Sequence, residues 1–210
     1  MNQIFVIPTA INLEPSQAPE KLDKLLHSLQ NINAQVPAAR IIVVDYSFEP
    51  LSEDEKQRFT ASVDLFAQHT PHPAVQALRK TLQNDAQVAE LAEMLALTWT
   101  LSTLGHNQLI QNDDFVTIIS AGKTLQSDYF NLIQHIEKFQ NKIILPKNPT
   151  QQDEQRCGHY WFFAALQLTA VIDALMQASE HKLEQLEAHK NIGFMSALFK
   201  YLPSADIYYQ

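Results

Sequence analysis

The sequence predicts a single three-layered α/β domain with a mostly parallel sheet and a helical C-terminal part. Three observations lead there. Short apolar runs rich in β-branched residues (IFVI, IIVV, FVTII, IIL) alternate with amphipathic stretches of helical length, the pattern of βαβ units. Strand, helix and strand follow one another within about the first 45 residues, which makes the second strand parallel to the first. A chain of 210 residues with 46% hydrophobic and 18% charged residues can bury one sizeable core and is short for two independent ones.

Ile4 to Ile7 is the first strand, stopping at Pro8, and Pro8 to Asn12 is a loop. Pro19 and Glu20 suit a helix start, and Leu22, Leu25, Leu26, Leu29 and Ile32 recur at helical spacing. Pro37 ends that region. Ile41 to Val44 is the second strand, running into Asp45-Tyr46-Ser47. Ser52 and Glu55 form a capping-box pattern, and the helix they open carries Phe59, Val63 and Phe66 on one side. His69 to Pro73 is a loop. A helical region spans about Ala74 to Leu104, interrupted near Asn84-Asp85, with Val88, Leu91, Leu95 and Trp99 on one face and Gly105-His106-Asn107 as its stop.

The stretch Asp113 to Phe130, DDFVTIISAGKTLQSDYF, organises the rest. Phe115, Val116, Ile118 and Ile119 mark a strand covered on both faces. Ser120-Ala121-Gly122 then ends it with small residues, where a parallel sheet presents its ligand-binding edge. A helix over about Ser127 to Phe139, a strand over Lys142 to Leu145 and a polar loop, KNPTQQDEQ, follow. Tyr160 to Phe163 is an aromatic cluster, either a strand or a helix start. Helices over Leu166 to Met176 and about Glu180 to Tyr201 and a short strand near Ala205 to Tyr209 complete the chain.

Composition excludes several classes. Net charge is −8 and no dense Lys/Arg run occurs, against nucleic-acid binding, where phosphates need clustered cations. The single cysteine, Cys157, rules out an intramolecular disulfide. MNQIFVIPTAIN lacks the basic leader and long apolar run of a signal peptide, and no segment reaches the roughly 18 apolar residues of a membrane span. The expected home is a reducing cytoplasm.

Individual residues carry competing readings. Asp45, at a strand end, is either a nucleotide contact or a loop-capping residue. Asp113-Asp114 precede their strand and belong to a helix-to-strand turn on the opposite edge. Glu90 and Glu93, at i and i+3, read as a solvated helix face. His69 and His72 sit in a proline-rich loop without metal-site partners. Arg156, and His159 beside Trp161, either grip a phosphate or sugar or border a packed aromatic core. Cys157 reads as a small packed side chain.

The order of these segments resembles the GT-A nucleotide-sugar glycosyltransferases, with the closest likeness to small bacterial transferases of lipopolysaccharide-core and capsule biosynthesis. IFVIPTAIN resembles the opening strand and loop over which the nucleotide sits, and IIVVDYS the second strand, with Asp45 in the place of an acid that contacts base or ribose. AELAEMLALTWTL resembles the long helix before the metal-site strand, and FVTIISAGKTLQSDYF that strand, its donor-site turn and the next helix start. Arg156 and the following aromatics resemble an acceptor-side segment. LEAHKNIGFMSALFKYL resembles the late helix whose leading acid lies near the acceptor, here Glu187. The resemblance implies a nucleotide-sugar-binding half over 1–146 and an acceptor-side helical half over 147–210. It implies Pro8, Thr9, Asn12 and Asp45 at the nucleotide, Ser120, Ala121, Gly122 and Lys123 at the diphosphate-sugar, Arg156 on the substrate and Glu187 as base. The partners it implies are a nucleoside-diphosphate sugar and a glycan or lipid-linked acceptor, with a cytoplasmic place that extends to the inner-membrane surface.

One departure matters. Family members that use Mg²⁺ or Mn²⁺ hold it with Asp-x-Asp at this turn, through hard carboxylate oxygens. Ser120-Ala121-Gly122 supplies none. The expectation is therefore either a metal-independent transfer, with Lys123 the nearest cation, or a catalytically silent module that binds a protein or glycan partner in polysaccharide assembly. An unrelated Rossmann-like enzyme is disfavoured, since no GxGxxG or GxxxxGK[ST] follows a predicted strand.

Overall fold

A computed structural model describes residues 2–13, 15–82, 85–145 and 160–209. In chain order the strands are β1 (Gln3–Thr9), β2 (Arg40–Asp45), β3 (Leu65–Gln68), β4 (Phe115–Ile119), β5 (Ile143–Leu145), β6 (Tyr160–Ala164) and β7 (Ile207–Tyr209). The helices are α1 (Ala18–Gln35), α2 (Glu53–Thr60), α3 (Pro73–Thr81), α4 (Asp85–His106), α5 (Ser127–Ile133), α6 (Leu168–Glu187) and α7 (Phe194–Phe199). The strands form one sheet in the order β3-β2-β1-β4-β6-β5-β7. β1 runs parallel to β2 and β4, β2 to β3 and β5 to β7, while β6 lies antiparallel between β4 and β5. The 1–146 and 147–210 halves thus share a single sheet, with β6 inserted between two strands of the first half.

Both faces of the sheet are covered, which is why its strands read as continuous apolar runs and not as alternating ones. Ile4, Val6, Val44, Val116 and Ile118 pack against Leu97 and Leu101 of α4 and Leu175 of α6. Phe5, Ile7, Val43 and Ile119 pack on the other side against Leu25 and Leu29 of α1 and Tyr129 of α5. Asp114, buried before β4, accepts from Gln111 N at 2.9 Å and Asn2 Nδ2 at 2.9 Å, so the Asp113-Asp114 pair does belong to a turn on the edge opposite the predicted site. Among the described residues no helix is long and apolar enough to cross a membrane.

The structure corrects several boundaries. Pro8 lies inside β1, opposite Val44; the β1–β4 ladder ends at Val6, so beyond it the strand has a ladder on one side only, where proline is tolerated. The capping-box helix ends at Thr60, and Phe66 belongs to β3, a half-exposed edge strand whose ring meets Phe59 edge-on at 5.1 Å. The helix expected over Ser127 to Phe139 breaks after Ile133 and resumes as a single tight turn over Ile136–Phe139. Tyr160 to Phe163 is a strand. The two helices expected over Leu166–Met176 and Glu180–Tyr201 are divided differently. α6 runs unbroken to Glu187, His189 turns left-handed at φ 55°, and α7 starts after Gly193. On α4, Trp99 is 66% exposed, because the helix spends its buried faces on the sheet, α3 and α6.

Candidate functional site

The chain runs outward from β1 through β2 to β3, then returns by α3 and α4 to β4 on the other side of β1. The strand order reverses between β1 and β4. Outside the carboxyl ends of strands at such a switch the loops diverge and leave a crevice for a ligand. The loops after β1, β2 and β4 meet this edge, so Pro8, Thr9, Asn12, Asp45, Ser120, Ala121, Gly122 and Lys123 come to one side of the sheet. Parallel register places them there: Thr9 pairs with Asp45, and β4 stands beside β1.

Much of their polar capacity is spent on neighbouring loops. Asp45 has no exposed surface. It accepts from Ser47 Oγ at 2.6 Å, from Gln68 Nε2 at 3.4 Å and from the backbone N–H of Ile11. Burial pushes its pKa up to about 6 against the opposing pull of those hydrogen bonds. Ser47 Oγ also accepts from Asn12 N at 2.9 Å, and Asn12 Nδ2 reaches Pro50 O at 3.3 Å. Tyr46 N donates to Thr9 O at 2.9 Å. Asp45 is therefore the anchor of a clasp between the β1 and β2 loops, in the manner of a loop-capping residue.

After β4, Lys123 N donates to Ser120 O at 3.2 Å and closes a turn with Gly122 at φ 86°, a position of a type II turn that glycine fills at least cost. Ser28 on α1 seats this turn. Its Oγ accepts from Gly122 N and donates to Lys123 O, both at 2.8 Å. Ser120 is exposed, and Ala121, Gly122 and Lys123 are half-buried. The turn holds no carboxylate, and among the described residues no three His, Cys, Asp or Glu side chains converge on a metal position. The residues present do not fit a Mg²⁺ or Mn²⁺ ion held here.

Glu187 is the last residue of α6 and is exposed. α6 runs antiparallel to α4, with Leu168 beside Gly105 at one end and Lys182 beside Glu90 at the other. Glu187 consequently sits at the end of α6 that neighbours the start of α4, towards the sheet's carboxyl edge. Arg156, Cys157 and His159 lie outside the described residues.

Sequence reasoning missed the polar cluster on the α4 flank. Glu90 and Glu93 were expected on a solvated face, but both turn to partners. Lys182 on α6 is fully buried and donates to Glu90 Oε2 at 2.8 Å, to Gln87 Oε1 at 3.0 Å and to Ile192 O. Tyr46 donates to Glu93 Oε2 at 2.9 Å. Burial pushes Glu93 up to about 7 and raises the Tyr46 hydroxyl well above its usual value, with the Glu93 charge adding to the latter. A signal existed. Lys182 falls on the buried row Val171, Leu175, Ala178, Lys182, Leu186, and a lysine in an apolar stripe requires an acid opposite. His69 and His72 are no metal pair. His69 Nε2 shares a hydrogen bond with Thr100 Oγ1 at 2.8 Å, and His72 Nδ1 accepts from Ala74 N at the start of α3. Beside them a cleft of about 400 Å³ opens at the ends of β2 and β3, lined by Tyr46, His69, Gln76, Leu95 and Trp99.

The sheet order, the one antiparallel strand beside β4 and the helices on both faces give the chain the GT-A-like fold of nucleotide-sugar transferases and nucleotidyltransferases. Its similar solved structures include core-mannan synthase A of Aspergillus fumigatus in its Mn/GDP form, at a TM-score of 0.52 and 10% identity over 100% of this chain and 72% of that one. Another is a protein described as a glucose-1-phosphate thymidylyltransferase of Bacillus anthracis, in complex with a sucrose, at 0.52 and 10% over 100% and 86%. No family model and no curated protein matches the sequence. At this identity the likeness establishes the fold alone.

Proposed function

We propose that the chain binds a nucleoside-diphosphate sugar at the crevice outside β1, β2 and β4 and passes the sugar to a surface-polysaccharide or lipopolysaccharide acceptor without a resident divalent metal. The observation that carries this reading is the strand-order reversal in a nucleotide-sugar-transferase fold, with an exposed serine and a lysine on the turn at that point. Pro8, Thr9 and Asn12 border the nucleotide, and Asp45 fixes their loop. Ser120, Ala121 and Gly122 meet the diphosphate-sugar, and the Lys123 ammonium neutralises the diphosphate. The bond from the anomeric carbon to the diphosphate breaks with its electron pair on the diphosphate. The acceptor oxygen forms the new bond as Glu187 takes its proton, and Arg156 holds the substrate from the C-terminal half. Charge developing on the leaving group needs a preorganised counter-charge, and in a metal-free site Lys123, on the turn itself, supplies it.

A second reading is favoured by two observations. Asp45 is sealed from solvent and the β4 turn holds no carboxylate, as expected of a GT-A-like module that binds a protein or glycan partner without catalysis. A thermal-shift series with nucleoside diphosphates and nucleotide sugars, with EDTA or with Mg²⁺ or Mn²⁺, separates the two. A ligand bound by the folded state at 100 times its dissociation constant adds about 2.7 kcal/mol. The transferase reading expects a shift in EDTA that Lys123→Ala abolishes. No shift with any nucleotide would sink it in favour of the silent module, and a shift that needs metal would overturn the metal-free turn.

A further inference from the structure

The cleft at the ends of β2 and β3 is bordered on one side by Trp99. It shares His72, Leu95 and Trp99 with a second cleft of about 560 Å³ between α3, α4 and α6. Taken together as one trough across these shared residues, the two have ends that differ in chemistry. Near the sheet edge stand the Tyr46 hydroxyl, which donates to Glu93 and keeps only its acceptor capacity, and the His69 imidazole, whose Nε2 is shared with Thr100. At the far end the walls are Val75, Leu91, Met176 and Leu183. Of the three hydroxyls on that lining, Thr98 and Ser179 are buried and donate back into their own helices, to Met94 O and Leu175 O, each at 2.7 Å, while Ser102 is half-buried. Thr98 and Ser179 offer no free donor, so an aliphatic chain lying over them leaves their hydroxyls bonded. Met176 is 49% exposed and Trp99 66% exposed at the mouth.

Size and charge narrow the occupant. Both volumes lie in the range of small-molecule sites, roughly 300–1,000 Å³. No Lys or Arg lines either cleft among the described residues, and the exposed Glu180 borders the larger one. An anionic head group would meet no counter-charge. An uncharged sugar ring, by contrast, can lie on the exposed indole face of Trp99 with its hydroxyls towards Tyr46 and His69.

We infer that this trough binds an uncharged single-chain glycoside, its sugar towards Tyr46 and His69 and its aliphatic tail between α4 and α6. Only its role as the lipid end of a transfer acceptor rests on the transferase reading; the binding itself does not. The probe is n-octyl-β-D-glucoside, titrated below its micelle concentration with no nucleotide present. The chain has two tryptophans, and Trp161 is buried, so a change in emission reports Trp99. The expected result is a saturable blue shift that D-glucose alone does not give. Met176→Glu, at an exposed position, should keep the fold by circular dichroism and weaken binding by about tenfold or more. Trp99→Phe should abolish the emission change while calorimetry still detects the ligand. Absence of a saturable shift, or equal affinity in Met176→Glu, would overturn the inference and leave the trough as a protein-docking face. Octyl sulfate binding as tightly as the glucoside would overturn the uncharged head group. Because no nucleotide enters the titration, its outcome is independent of whether the β1–β4 crevice binds one.

Discussion

At the carboxyl edge of the sheet, Asn12, Asp45 and Ser47 join across at most 35 positions of chain through mostly neutral donors. On the α4 flank, Lys182 meets Glu90 across 92 positions as a charged pair, and Tyr46 meets Glu93 across 47. Both networks take a carboxylate out of water. The first surrounds it with hydroxyl, amide and backbone donors from adjacent loops, so losing one partner leaves others in place. The second concentrates its charge on one ammonium with three acceptors, and everything depends on that group. The two regions should therefore fail differently when cut.

The deepest cut is Lys182→Met, which keeps the apolar stem and removes the charge. Breaking a buried ion pair by removing one partner costs about 3–5 kcal/mol, because the other charge remains without compensation. The Glu90 side chain is 34% exposed and can recover some hydration, which sets the expectation near 3 kcal/mol. Urea unfolding should show a lower midpoint with an unchanged slope. A loss below about 1 kcal/mol would mean that Gln87 and Ile192 hold this region without the charge, and the contrast between the regions would collapse.

The same contrast separates what the sequence discloses from what it hides. The strand ends were legible because a parallel sheet sends every carboxyl end to one edge, so IFVIPT, IIVVD and FVTIIS locate the edge where the strand order reverses without knowledge of a single contact. Asp114 was legible too, since a carboxylate before a strand caps its own turn. β3 was not: LFAQ is half-exposed, and Val63 and Phe66 continue the helical spacing from Phe59. The true end of α6 was hidden because His189, a non-glycine residue, takes the left-handed conformation. The Lys182 cluster was out of reach except as a warning, because periodicity assigns residues to a face and never says which face of another helix opposes it.

A pH series sharpens the comparison. Asp45 is raised to about 6 and Glu93 to about 7, each above the value of the unfolded chain, with burial as the first cause. The folded state then binds more protons than the unfolded state between roughly pH 4 and 7, so stability falls as pH rises across that window. The stabilisation is fully present below the unfolded values and is lost as pH passes 6 and then 7. A decline on the order of 4 kcal/mol from pH 5 to 8 is expected from urea unfolding. Asp45→Asn should remove the part of the decline that ends near pH 6, and Glu93→Gln the part that extends to about 7. A profile that rises from pH 5 to 8 would mean both carboxylates are held ionised by their donors.

Gly122→Ala probes the edge region where it has least slack. The glycine sits at φ 86°, a conformation that costs a side-chain-bearing residue about 1–2 kcal/mol, and an added Cβ would lie 3.2 Å from the Cβ and Cγ of Lys24. The Lys24 stem is partly exposed and can yield by a few tenths of an ångström, so backbone strain supplies most of the loss. The expected destabilisation is about 1–2 kcal/mol by thermal unfolding. Gly122→Asn separates the two causes. Asparagine tolerates the left-handed region better than alanine yet brings a larger side chain against Lys24. If asparagine is the milder substitution, the turn is set by its backbone, as a preorganised ligand-facing turn requires. If it is the harsher one, contact with α1 sets the turn, and Ser120 to Lys123 belong to the same kind of internal clasp as Asp45.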